Sequence, residues 1–462
     1  MTVIVRSKMW VILCLCGVAL LSMGCEDEFV DKRPEGTLQD ITSLAEREDL
    51  NILFVVIDTL RSDRLSSYGY ERETSPVLDY LAGTGVRFAN HRAQSSWTKA
   101  SMASLWTGLY PVRTDVLRHK DALTEEAYTP AEILGDAGYL TAGIWRNGWV
   151  APNFGFSQGF DIYLSPALNQ APAKLRTEAR AGRIEGTDVD LAFSATEFIR
   201  THSDQRWFLY LHFMDVHQYI STEETAIFGS TYSDAYDNSI LWTDRQLGNI
   251  LRELYELGLE DRTLIVVVSD HGEAFGEHGA EGHGRDVHAE VVLTPFIISF
   301  PFKLDPAGVV QAQTENVDVW PTVLDMLGLA SSNEGAVDGT SQVPLLTVGQ
   351  VAPMQDTGFA QLDRNWGRIE EESRMVIAVR DGPLRLVHDP TAPESDLLYN
   401  VELDPLEQTN IAEIDPENLE KLKHIAEEHL ARKPVWEGGA PQVEIDEMHL
   451  KQLRAIGYSI EE

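Results

Sequence analysis

Cysteine, positive charge and long apolar runs are all in short supply in this chain, and each scarcity excludes something. With three cysteines in 462 residues there is no disulfide framework to read. Lys and Arg number 37 against 73 Asp and Glu, a net charge of −36. A field of that sign keeps the chain soluble, excludes nucleic acid as a partner and disfavours long polyanionic substrates unless a local basic pocket offsets it. The most apolar run, Met9 to Met23, is too short to span a bilayer comfortably. No internal repeat or low-complexity tract is visible. What remains, 43% hydrophobic and 9% aromatic residues, is the composition of a folded globular protein. The length is enough for one large α/β domain and a smaller one.

The apolar run follows Arg6 and Lys8 and ends at Leu21-Ser22-Met23-Gly24-Cys25. Basic residues, an apolar stretch and a small residue before a Cys read as a secretory signal with a lipobox-like end. The match departs from the usual pattern at Ser22, where Leu is normal. Cleavage there leaves Cys25 as the sole cysteine, since Cys14 and Cys16 lie in the signal. A lone thiol is a liability in an oxidising compartment, and a lipidated one is not. The expectation is an exported bacterial lipoprotein, periplasmic or on the cell surface, meeting the membrane only through its anchor. Residues 1–25 are then the signal and 26–48 a tether. Ordinary secretion with an exposed Cys is the alternative.

From Asn51 the grammar changes. Ile52 to Ile57 is a continuous apolar run ending in Asp58, which reads as a buried parallel strand delivering a carboxylate at its C-terminal end. Trp207 to Phe213 runs likewise into Met214-Asp215-Val216-His217, and Thr263 to Val268 into Ser269-Asp270-His271. Helical stretches such as Ala235 to Leu257 lie between. This alternation predicts an α/β fold with a large sheet sandwiched by helices, and ligands of such sheets bind outside the carboxyl ends of the strands. Beyond Leu346, the runs Met375–Val379 and Leu384–Val387 and the amphipathic stretch Asn418–Leu430 read as a small C-terminal α+β subdomain. Expected boundaries are 49–346 for the catalytic domain, 347–435 for the subdomain and 436–462 for a tail.

Four segments carry chemistry-bearing residues. Asp58 leads into Thr59-Leu60-Arg61-Ser62-Asp63-Arg64. A second segment runs from Ser96-Trp97-Thr98-Lys99-Ala100-Ser101 to Thr107-Gly108. The third is Ser269-Asp270-His271-Gly272-Glu273 with Gly282-His283-Gly284 downstream, and the fourth is the strand ending at His217. Together they resemble the sulfatase branch of the alkaline phosphatase superfamily over roughly residues 50–430. Leu397-Leu398-Tyr399-Asn400 and Asp404-Pro405-Leu406-Glu407 resemble the family's C-terminal pattern. The resemblance implies an alkaline-phosphatase-like sheet and one divalent ion on Asp58, Asp270, His271 and Thr98. Ca²⁺ is the family's usual ion, while the donor set also admits Mg²⁺, Mn²⁺ or Zn²⁺. It implies Thr98 as nucleophile, His283 as oxyanion holder or leaving-group acid, and His217 as a further catalytic imidazole. Arg146, Asn147 and Lys99 are the candidates for substrate contacts.

The departures matter as much as the matches. Thr59 stands where the family places a second Asp. Thr98 replaces the Cys or Ser that becomes formylglycine, while Ala100 and Met102 replace the Pro and Arg of its recognition motif. Oxidation of a Thr gives a ketone, so the formylglycine route is closed. A hydroxyl at a helix N-terminus remains, resembling the superfamily's phosphatases and phosphoethanolamine transferases; as an isolated residue Thr98 reads as a helix cap, and it is the motif that favours the nucleophile. The expected activity is hydrolysis of a small anionic sulfate or phosphate ester. A phosphotransferase and a non-catalytic binding protein are the alternatives. His212, inside the strand, reads as structural.

Overall fold

In the computed structural model the described residues are 31–166, 186–329, 337–347, 357–368, 370–445, Leu450 and Leu453. The signal-like run and Cys25 lie outside them. The unit Met1–Lys32 contributes only Asp31 and Lys32, and everything from Arg33 belongs to a second unit. No helix among the described residues is long and apolar enough to cross a membrane.

Eight strands form the main sheet: β1 (Asn51–Ile57), β2 (Val86–Arg92), β3 (Leu140–Ile144), β4 (Ile162–Leu164), β5 (Trp207–Phe213), β6 (Thr263–Val268), β7 (Phe296–Ser299) and β8 (Gly308–Glu315). Their order across the sheet is β8-β2-β7-β6-β1-β5-β3-β4. Every pairing is parallel except those of β7, which runs antiparallel to β2 and β6. β1 is apolar at nearly every position because both its faces are covered. Ile52, Phe54 and Val56 belong to one core cluster, while Leu53, Val55 and Ile57 belong to the other. That is the two-residue period of a strand read out as two cores.

The second of those cores is closed by α1 (Pro76–Thr84), α3 (Asp188–Thr201) and α4 (Tyr232–Glu256). The first takes α2 (Thr98–Thr107) and α5 (Val319–Met326). Phe54 stacks on Trp320 at 4.6 Å between centroids, and Trp320 on Trp106 at 5.5 Å, which fastens α5 and α2 to the central strand. A smaller antiparallel sheet follows in the order β9 (Thr357–Asp363), β10 (Met375–Asp381), β11 (Leu384–His388) and β12 (Leu397–Asn400). α6 (Pro416–Leu430) packs its Leu422 and Ala426 onto Ile377, Val379, Leu386 and Leu398 of that sheet. The expected α+β subdomain is therefore present.

One expectation differs. Part of the stretch read as a tether is folded: Glu35–Gly36 pairs parallel with Lys303–Leu304, and the 3-10 helix Leu38–Glu46 buries Ile41 and Leu44. The polar composition of 26–48 hid two apolar anchors three residues apart, the spacing that puts them on one helical face.

Candidate active site

The catalytic candidates sit on neighbouring strands because the sheet order brings their ends together. β6, β1, β5 and β3 are consecutive and parallel, so the residues just past each strand share one edge. From β6 come Asp270 and His271, from β1 Asp58, from β5 His217, and from β3 Arg146 and Asn147. Asp58, Asp270 and His271 are fully buried, and one ligand atom from each lies within 4.8 Å of the others. Asp58 Oδ1 and Asp270 Oδ2 have no hydrogen-bond partner among the described residues. Asp270 Oδ2 is 3.3 Å from His271 Nε2. His271 Nδ1 is 3.0 Å from the Gly272 carbonyl, which fixes the proton on that nitrogen and leaves the Nε2 lone pair facing the cluster.

Buried carboxylate oxygens left open, an imidazole lone pair and a hydroxyl converging on one point are what a divalent cation needs, and the residues fit it. The electrostatics agree. Burial works against ionisation of Asp58, yet the hydrogen bond from His212 and the neighbouring imidazoles of His217 and His271 hold it well below the usual carboxylate range. Asp270 moves the other way, pushed up by burial and by Asp58. Two carboxylates buried this close repel each other, and a cation between them would relieve that repulsion.

Thr98 is the first residue of α2 and not its cap; that position is Trp97, in extended backbone. Its Oγ1 lies 3.1 Å from His271 Nε2 and 3.3 Å from Asn147 Nδ2. Asn147 also donates to Asp58 Oδ2 at 2.6 Å, so one amide bridges the carboxylate and the hydroxyl. α2 is held over the sheet edge partly by Ser101 Oγ, which donates to the Asp270 carbonyl at 2.5 Å. Thr59, at the position of the family's second Asp, adopts left-handed backbone with φ 61°. It turns its hydroxyl to the Asp58 carbonyl at 2.7 Å and gives the cluster only its N–H, 3.2 Å from Asp270 Oδ1.

The two partly exposed histidines stand at the mouth. The His283 ring is 4.5 Å from that of His271 and 4.9 Å from that of His217. His283 Nδ1 is 2.7 Å from Glu273 Oε2. Burial opposes its protonation, but the Glu273 charge and hydrogen bond win and raise its pKa. Burial pushes His217 down to about 4 against the pull of Asp58.

Three expectations need correcting. The Lys99 ammonium does not face the cluster. It is fully buried, hydrogen-bonded to the His119 and Asp121 carbonyls at 2.5 and 2.7 Å, and lies 3.8 Å from the Phe154 ring centre with Trp149 and Trp97 beside it. One residue after Thr98 along a helix is a turn of about 100°, which carries the side chain to another face. Arg146 is also spent: Nη1 pairs with Asp188 and Asp215 at 2.5 Å each, and Nη2 with the Gly186 carbonyl and Gln218. Conversely His212, read as structural, places Nε2 3.0 Å from Asp58 Oδ2 and takes the Tyr210 hydroxyl on Nδ1 at 2.6 Å. Cross-strand register was the missing signal, since His212 pairs with Val56, two residues short of Asp58. Glu273 was missed too, although it stands two residues past His271.

A buried Asp–Asp–His set with a hydroxyl on the adjoining helix N-terminus, at the carboxyl edge of a helix-covered sheet, defines a hydrolase of anionic esters. The chain belongs to the sulfatase family: the sulfatase model matches residues 50–329, and that of the N-sulphoglucosamine sulphohydrolase C-terminal region matches 276–433. It is similar to arylsulfatase A of Homo sapiens, 26% identical over 81% of this chain and 86% of that protein. It is also similar to N-acetylgalactosamine-6-O-sulfatase of Bacteroides thetaiotaomicron, 23% identical over 82% and 92%. The phosphonate monoester hydrolase of Agrobacterium radiobacter shares the fold with a TM-score of 0.66, at 23% identity over 86% of this chain and 100% of that one. The protein is accordingly a hydrolase of the sulfatase family.

Proposed function

We propose that the protein is an exported, metal-dependent hydrolase that cleaves a small sulfate or phosphate ester by attack from Thr98. The observation carrying this is the place of Thr98 Oγ1: at the first turn of α2, between His271 Nε2 and Asn147 Nδ2, each of which also adjoins a carboxylate of the Asp58–Asp270–His271 cluster. A divalent ion on Asp58, Asp270, His271 and Thr98 would supply positive charge to the ester oxygens and lower the hydroxyl pKa. The oxygen-rich donors suit Ca²⁺, Mg²⁺ or Mn²⁺, and His271 admits Zn²⁺. The N-terminal end of α2, with its partial positive charge, adds stabilisation where negative charge grows. Asn147 orients the hydroxyl. Thr98 gives its hydroxyl proton to solvent as Oγ1 forms a bond to sulfur or phosphorus and the ester oxygen leaves, and His283, held by Glu273, gives that oxygen its proton from Nε2 and is reprotonated from solvent. Water then displaces Thr98 in line and releases sulfate or phosphate. Thr98 favours the phosphate ester, because without the formylglycine hydrate a sulfated threonine has no elimination route.

Rapid quench with a labelled aryl phosphate and an aryl sulfate, followed by peptide mapping, tests the reading. An adduct on Thr98 is expected; an adduct on Ser96 or Ser101, or full activity of Thr98→Ala, overturns it. Export and anchoring rest on the run ending at Cys25 alone. Mass spectrometry of the membrane fraction is expected to find a diacylglyceryl group on Cys25, and an unmodified mature N-terminus elsewhere refutes the anchor.

A further inference from the structure

Away from the catalytic cluster, three guanidinium groups gather where the main sheet meets the small one. Arg92 ends β2; it is only 5% exposed, and neither its Nε nor its Nη1 has a hydrogen-bond partner among the described residues. Its cross-strand neighbour Glu315 has spent both carboxylate oxygens, accepting from Phe359 N–H at 2.9 Å and from the Tyr110 hydroxyl at 2.5 Å. Arg380 and Arg385 oppose each other across β10 and β11. Arg385 uses Nη1 on both Glu407 oxygens at 2.7 Å and Nη2 on the Val287 carbonyl. Arg380, partly exposed, donates Nε to the Gly382 carbonyl at 3.1 Å.

The groups feel one another. After burial itself, the positive charges of Arg385 and Arg380 act most strongly against protonated Arg92, while Glu407 and Glu315 attract it. Glu402 and Glu407 do the same for Arg380. None of these carboxylates makes an ion pair with Arg92 or Arg380 among the described residues. Buried Arg61, Arg146 and Arg385, by contrast, each hold a carboxylate. A guanidinium stays charged at any ordinary pH, so its unpaired donors call for an anion.

We propose that Arg92, with Arg380 adding positive charge, forms a site for a small inorganic oxyanion, sulfate or phosphate, separate from the catalytic cluster. A tetrahedral dianion offers several acceptors to a fork of N–H donors, and burial of Arg92 restricts the site to an ion without an organic substituent. The site also lies on the segment that leads from β2 into α2 and Thr98. It does not depend on the catalytic reading, because binding is read as stabilisation of the folded chain.

The experiment is thermal unfolding of the full chain, treated with chelator, titrated with sodium sulfate or sodium phosphate against sodium chloride at matched ionic strength. A saturable rise in Tm with the dianions is expected. Arg92→Met abolishes it, Arg380→Gln weakens the midpoint by about tenfold or more, as losing a charge-assisted hydrogen bond does, and Asp270→Ala leaves it in place. If Arg92→Met does not fold, Arg380→Gln decides. No saturable rise in the parent, an unchanged midpoint in the arginine variants, or loss of the rise in Asp270→Ala each overturns the proposal, the last by placing the anion in the catalytic cluster.

Discussion

At the scale of single residues, the proposed attack by Thr98 needs its hydroxyl and not its methyl. Thr98→Ser keeps Oγ on the first turn of α2 and is expected to retain substantial kcat. Thr98→Ala removes the proposed nucleophile while leaving the helix and the carboxylate and imidazole ligands in place, and kcat is expected to fall by roughly 10⁴–10⁶, as for other covalent catalysts. Steady-state assays on aryl phosphate separate the two. Asp270→Ala takes one of two buried carboxylates from the cluster proposed to hold a divalent ion. Metal content by elemental analysis and activity are expected to fall together, and chelation of the parent should reproduce the loss until a divalent ion is restored.

At the scale of elements, α2 is positioned by its far end as much as by Thr98. Trp106, 3% exposed, lies against Phe54, Tyr210 and Trp320 with centroids 5.7, 5.0 and 5.5 Å away. Trp106→Ala is expected to cost about 3–5 kcal/mol in denaturant unfolding and to lower kcat by loosening the helix that holds Thr98. A second junction involves His278, whose Nδ1 is 2.7 Å from Glu290 and whose Nε2 is 2.9 Å from the Glu407 carbonyl in the subdomain. The Glu290 hydrogen bond raises its pKa to about 9. A group with a raised folded pKa stabilises fully below its unfolded value, about 6.5 for His, and its contribution fades as pH climbs through about 9. Unfolding free energy measured across that window is expected to decline, and His278→Gln should flatten the decline.

For the whole molecule, the excess of negative charge sets solution behaviour. A net charge of −36 repels itself in the compact state. Adding NaCl shortens the screening length from about 30 Å at 0.01 M to about 8 Å at 0.15 M, so Tm is expected to rise over that range and then level off. A Tm indifferent to salt would mean that local pairings already neutralise the field.

The sheet, the strand-end carboxylates, His271 and the hydroxyl on the helix start were legible in the sequence, because they depend on local pattern: an apolar run of strand length followed by a polar residue marks its own end. His212 and Glu273 were not, since their partners come from other strands and loops, and register cannot be read from one strand. Nor could the sequence tell that Lys99 and the Nη atoms of Arg146 are taken up by other partners. A cation's side chain goes where carbonyls, rings and carboxylates satisfy it, and for Lys99 and Arg146 those partners are His119, Asp121, Asp188 and Asp215, assembled only when the chain closes on itself. Residue type and spacing determined which chemistry the chain carries. Tertiary structure decided which of those residues meet, because a buried charge must be paired and only the fold supplies the partner.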